Sequence, residues 1–218
     1  MSLKIQQRSD LTKTESYIRN HFENEGSGHD WWHIHRVRNV ALKLAGNEGG
    51  NKFIIEMAAL LHDLDDWKLN GNSRISKTTQ WLDDLGISNS EKTEILEIIE
   101  QVSFKGAGVE NNAILLEAKI VQDADRLDAI GAIGIARTFA YGGSKGRLIY
   151  HPEIEPELHN DFEEYKKNTA PTINHFYEKL LLLKNLLNTD SAREMAKKRH
   201  QFMKDFLAQF YDEWRNQI

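Results

Sequence analysis

Ala58-Ala59-Leu60-Leu61-His62-Asp63-Leu64-Asp65-Asp66 drives an apolar run straight into a histidine and three acids. A helix that ends in water would produce this pattern, and so would a helix that ends at a metal ion. Two other stretches combine the same residue types with apolar surroundings. One is Gly28-His29-Asp30-Trp31-Trp32-His33-Ile34-His35-Arg36-Val37, and the other is Val121-Gln122-Asp123-Ala124-Asp125-Arg126-Leu127-Asp128. Burying an unpaired aspartate is costly, and both Asp63 and Asp125 have strongly apolar neighbours. A divalent cation shared among these stretches would offset that cost. On a helix, His62 and Asp63 sit about 100° apart, close enough for both to reach one ion beside its end. Two imidazoles with two carboxylates suit a borderline or hard divalent ion: manganese, iron, cobalt, nickel or magnesium.

The rest of the chain sets the frame. At 218 residues it can bury a sizeable core, and 40% hydrophobic with 28% charged residues is ordinary for a globular protein. The net charge of −5 gives no electrostatic basis for a dedicated nucleic-acid binder. Without cysteine there is no disulfide scaffold and no thiolate ligand or nucleophile. The polar start, Met1 to Asp10, lacks the apolar core of a signal peptide, and no apolar run approaches the roughly 20 residues that span a bilayer. The expected address is cytoplasmic, with no membrane partner.

Only three prolines and long stretches of helical period predict an all-α fold, a single compact domain over residues 1–218. Helices are expected at about 12–25, 30–46, 52–65, 73–85, 90–103, 111–141, 158–188 and 191–216, with glycines between several of them. Thr12-x-x-Glu15, Ser88-x-x-Glu91 and Ser191-x-x-Glu194 have the form of capping boxes. In the last helix Met195, Phe202, Phe206, Phe210 and Trp214 recur at three-to-four spacing, a stripe for the core or for a second copy in a homodimer. Tyr141 to Arg147 is the one loop of unusual composition; a mobile phosphate-facing lid and a plain surface loop are equally open.

The order His33, then His62-Asp63, then Asp125 resembles the HD superfamily of metal-dependent phosphohydrolases, an all-helical fold. His33 heads a His-x-x-Arg-Val segment, and Ala124-Asp125-Arg126-Leu127 resembles the family's closing motif. The likeness extends to small bacterial HD proteins with nucleoside triphosphate pyrophosphohydrolase activity. It rests on His29 to Ile34, on Asp123 to Gly134, and on Asn174-His175-Phe176-Tyr177-Glu178-Lys179-Leu180. It implies an HD core over about 28–131, completed by C-terminal helices over about 158–216. By this match His33, His62, Asp63 and Asp125 are the metal ligands, while His35 is a support or surface residue. Family members that hold two metals carry further histidines after the doublet. None lies between Asp63 and Asp125 here, so one ion is expected.

The chemistry also needs a carboxylate to orient or deprotonate water. Asp66, one turn beyond Asp63, is the first candidate and Asp128, one turn beyond Asp125, the second; Asp65 points away and reads as solvated. A polyphosphate calls for cations, for which Lys68, Arg126, Lys145 and Arg147 are candidates. His29 and His151 are candidate substrate contacts, and Trp31 and Trp32 are candidates for stacking a base or for the core. The resemblance implies a nucleotide substrate, foremost a (deoxy)nucleoside triphosphate cleaved to monophosphate and pyrophosphate. The alternatives are a nucleoside monophosphatase or cyclic-nucleotide or alarmone hydrolase on the same site, or a non-catalytic nucleotide-binding protein.

Overall fold

The computed structural model describes residues 3–23, 30–65, 76–102, 113–158 and 169–217, and these hold helices and no strand. The α-helices are α1 (Ile5–His21), α2 (Trp31–Glu48), α3 (Lys52–Leu61), α4 (Ser76–Asp84), α5 (Asn89–Val102), α6 (Leu116–Asp128), α7 (Gly131–Ser144) and α8 (Asp190–Trp214). A π-helical turn at Phe176–Leu180 and a 3₁₀ turn at Leu183–Leu186 lie between α7 and α8. None of the described helices is long and apolar enough to cross a membrane.

The chain forms two compact units. The first is Met1–Ser103 with Asn111–Asp125, and the second is Phe104–Glu110 with Arg126–Ile218. At the centre of the first lies α3. Every residue from Phe53 to Leu61 is buried, so its apolar surface runs all the way round, and α1, α2 and α5 cover it. Each fully buried Leu, Ile or Phe there contributes roughly 1.5–3 kcal/mol. The one charge in that run, Glu56, is 5% exposed, and burial on this scale requires a partner. Arg38 of α2 supplies it: Nε and Nη2 donate to Glu56 Oε1 at 2.8 and 2.5 Å, while Nη1 meets Glu15 Oε2 of α1 at 3.0 Å. One guanidinium thereby ties three helices together.

In the second unit α7 packs against α8, and the 3₁₀ turn also meets α8. The buried face of α8 is Ala192, Ala196, Met203 and Leu207, rotated from the predicted aromatic stripe. Of that stripe, Phe206 lies against Phe139 and Phe176, while Phe202 and Trp214 are each 51% exposed. His200 of α8 has a buried Nδ1 without a hydrogen-bond partner among the described residues. Burial, then the charges of Lys184 and Lys204, push its imidazole below the usual value of 6.5. Above that value the ring is neutral in both folded and unfolded chains. As pH falls through it the unfolded chain takes the proton first, so stability is lost toward acid. His200→Gln should accordingly gain on wild type in parallel thermal melts as pH falls from 7.5 to 5.5. Identical pH profiles would rule this out.

Several boundaries differ from the sequence expectation, each for a local reason. Thr12 lies inside α1, where its hydroxyl donates to the Arg8 carbonyl, so it opens no helix. Thr189 rather than Ser191 caps α8, accepting from Ala192 N. Ser88 does cap α5, with its hydroxyl bonded to Glu91. The long helix expected over 111–141 breaks between α6 and α7 at Gly131, whose φ of +80° is a left-handed conformation suited to glycine. Arg199 packs 3.0 Å from where a Cβ would sit on Gly131, and a Cβ on Gly134 would overlap the Ala129 carbonyl. Residues 169–188 form the two short turns in place of one continuous helix.

Candidate metal centre

The site belongs to the first unit, and three elements build it. Asp30 caps α2 by accepting the backbone N–H of His33 at 2.8 Å, which fixes the start of the helix at the ligand itself. Ending at Leu61, α3 leaves His62 and Asp63 in the turn that follows, not inside a helix as expected. Leu64 N donates to Leu61 O at 3.0 Å and closes that turn. Asp125 comes from the last turn of α6.

His33, His62 and Asp63 form the one cluster among the described residues whose ligand atoms lie within 4.8 Å of one another. His33 Nε2 stands 3.3 Å from His62 Nε2 and 3.3 Å from Asp63 Oδ2. His62 Nε2 is 3.5 Å from Asp63 Oδ1. Asp125 Oδ1 joins them at 3.5 Å from His33 Nε2 and 4.0 Å from His62 Nε2. The other ring nitrogen of His62, Nδ1, faces the Ala59 carbonyl at 2.8 Å. A carbonyl only accepts, so Nδ1 carries a proton and Nε2 is the ring nitrogen that faces the cluster. Bonds of about 2.1 Å to one ion separate adjacent ligand atoms by roughly 3.0 Å at octahedral and 3.4 Å at tetrahedral angles. The two spacings of 3.3 Å from His33 Nε2 fall in that range, and the other three, at 3.5 to 4.0 Å, lie just above it. Two nitrogens and two carboxylates therefore fit a divalent cation, with Nδ1 of His62 already fixed by an outer hydrogen bond. The His33 side chain is fully buried, and that of Asp125, on α6, is 28% exposed.

His29, Asp66 and Lys68 lie outside the described residues. Asp128 is buried and paired with Arg137 Nη1 at 3.0 Å, an engaged carboxylate rather than a free base. Arg126 donates to the Leu186 carbonyl within the second unit. Lys145 and Arg147 come together, each 5.6 Å from the centre of the Tyr141 ring. The Gly-rich stretch beside them is the last turn of α7 followed by backbone pinned from Thr172 N to Leu148 O and from Ile173 N to Ile149 O. His151 Nδ1 accepts from Glu153 N. Trp31 is in the core, whereas Trp32 is exposed.

Sequence reasoning missed three supports. Asp30 directly ahead of an apolar-periodic helix was a readable N-cap signal. Glu56 alone in an apolar run signalled a buried ion pair, though nothing local pointed to Arg38. Asp65 was expected to be solvated; instead it is buried, and its carboxylate accepts Lys77 N at 3.2 Å and Thr78 N at 2.9 Å. The backbone amides of the first turn of α4 draw it in.

An α-helical fold whose ligands arrive as histidine, histidine-aspartate and aspartate defines a class of protein, and the chain belongs to the HD-domain family. The HD domain model matches residues 31–130. The chain is 39% identical over 198 residues to YpgQ of Bacillus subtilis, covering 89% of this chain and 88% of YpgQ. A crystal structure of YpgQ in complex with ADP superposes with a TM-score of 0.74 at 36% identity, over 93% of this chain and 97% of that one. A Lactobacillus plantarum protein gives a TM-score of 0.89 at 37% identity, over 99% of this chain and 100% of its own. An HD-superfamily hydrolase from Bacillus thuringiensis gives 0.73 at 46% identity, over 96% and 98%.

Proposed function

We propose that the protein is a metal-dependent phosphohydrolase that cleaves (deoxy)nucleoside triphosphates to monophosphate and pyrophosphate. The observation that carries this reading is the convergence of two imidazole nitrogens and two carboxylates on one point, with Asp125 partly exposed. The ADP complex of YpgQ supports a nucleotide as the ligand class. A divalent ion held there supplies Lewis acidity toward a phosphoryl oxygen. His33, His62, Asp63 and Asp125 hold the site in shape. The water oxygen attacks the α-phosphorus, the bond from that phosphorus to the bridging oxygen breaks, and pyrophosphate leaves. A carboxylate beside the ligands takes the proton of the water, a role we give to Asp66 on its sequence position. Asp128, held by Arg137, is assigned a structural part. Lys145 and Arg147, each beside the Tyr141 ring, are the cations we assign to phosphate contact, because a polyphosphate brings more negative charge than one ion balances.

A panel of nucleotides with manganese, cobalt and magnesium, reading orthophosphate and pyrophosphate separately, tests this. One pyrophosphate and one monophosphate per triphosphate is the expected result. Orthophosphate released only from monophosphates would assign a nucleotidase instead, and binding without turnover under every metal would leave a nucleotide-binding protein.

A further inference from the structure

We propose that Asp65 is a positioning residue for the metal centre, clamping the turn that presents His62 and Asp63 onto the first turn of α4. The proposal rests on the metal-binding reading of the site but not on any choice of substrate. Asp65 follows Asp63 by two residues and is 9% exposed. Its two oxygens are divided between two backbone donors, Oδ1 accepting Lys77 N and Oδ2 accepting Thr78 N. Both amides lie in the first turn of α4 as described, the end of a helix at which a negative charge is stabilised. The residue that caps a helix usually lies directly ahead of it, whereas this one comes from the far side of residues 66–75. Its carboxylate thus joins two places that the chain alone leaves far apart.

The receiving end is itself anchored. Trp81 of α4 stacks on Tyr17 of α1 with ring centres 4.1 Å apart and planes 8° from parallel. Its indole N–H donates to Thr14 Oγ1 at 2.9 Å. Thr14 is fully buried and donates to the Asp10 carbonyl at 2.8 Å, and Leu82 of α4 is also in the core. A continuous set of contacts therefore runs from α1 through α4 and Asp65 to the ligand turn. Metal ligands depend on such outer partners, whose loss costs about 10–100-fold in affinity. A cap alone would cost stability and leave affinity untouched, which separates the two roles.

The test is manganese binding to metal-stripped protein, titrated well below the melting temperature and with no nucleotide present. Asp65→Ala should bind about 10–100-fold more weakly than wild type. Asp65→Asn keeps one acceptor oxygen and should fall between them. Thr189→Ala removes the cap of α8 in the other unit, and should lower the melting temperature while leaving manganese affinity within about twofold of wild type. Wild-type affinity in both Asp65 variants, or an equal loss in Thr189→Ala, would overturn the proposal while the metal site stands. Should Asp65→Ala fail to fold, Asp65→Asn decides alone. A stripped wild-type protein that takes up no ion overturns the metal site and this proposal together.

Discussion

Asp63→Ala is expected to weaken divalent-metal binding by more than about 100-fold and to abolish turnover with the helical fold intact, exceeding what loss of an outer partner costs. Asp63 is the one ligand whose two oxygens face both imidazoles, Oδ2 toward His33 and Oδ1 toward His62. Removing it takes away a ligand and half the negative charge that the four groups direct at the ion. The fold should survive because the core helix α3 ends before this residue and its apolar contacts are unchanged. Wild-type protein should melt higher when metal is added, by an amount equivalent to about 2.7 kcal/mol at a hundredfold excess over the dissociation constant. The variant should show no such rise. Metal analysis of the dialysed proteins should give one ion per chain for wild type and none for Asp63→Ala. A metal-dependent rise of equal size in the variant, or turnover that persists in chelated buffer, would remove Asp63 from the ligand set.

Arg38→Met should cost about 3 kcal/mol of stability, because it strands the buried carboxylate of Glu56 among apolar side chains. The charge cannot be recovered by solvent, and the methionine stem replaces only the packing of the arginine. Pairing the change with Glu56→Gln should restore most of the loss, since the penalty lies in the orphaned charge rather than in the missing bond. Chemical denaturation of the two single variants and the double variant gives the cycle. Strict additivity of the two single changes would show that Arg38 and Glu56 do not depend on each other. Arg38 lies on α2, which carries His33, and Glu56 on α3, which is followed directly by His62.

The helical class was legible in sequence as hydrophobic period. His33, His62, Asp63 and Asp125 were expected as ligands from the resemblance to the HD superfamily, and the structure brings these four side chains together. The limits appeared where a distant group decides. Asp65 and Asp66 look alike on paper, and only the amides of α4, more than ten residues later, make Asp65 a buried cap. Asp128 has the same offset from Asp125 that Asp66 has from Asp63, yet Arg137 holds it in a salt bridge. The break at Gly131 was hidden because Ala129 to Ile135 keeps helical composition, while a positive φ and a close side chain enforce the turn. The aromatic spacing of α8 was read as periodic, with the core or a second copy open for it. Phe206 of that stripe meets Phe139 and Phe176, while Ala192, Ala196, Met203 and Leu207 form the buried face of the helix.

The ligands come from residues 33, 62, 63 and 125, so the centre has no local precursor in the chain. A nascent polypeptide released only as far as α5 carries three of the four groups and lacks the carboxylate of α6. Complete ion capture therefore waits until α6 has been made and has docked beside α2 and the turn after α3. On the proposed metal-binding reading the cation would act as a late seal on assembly, and its uptake would distinguish finished molecules from chains that have merely collapsed.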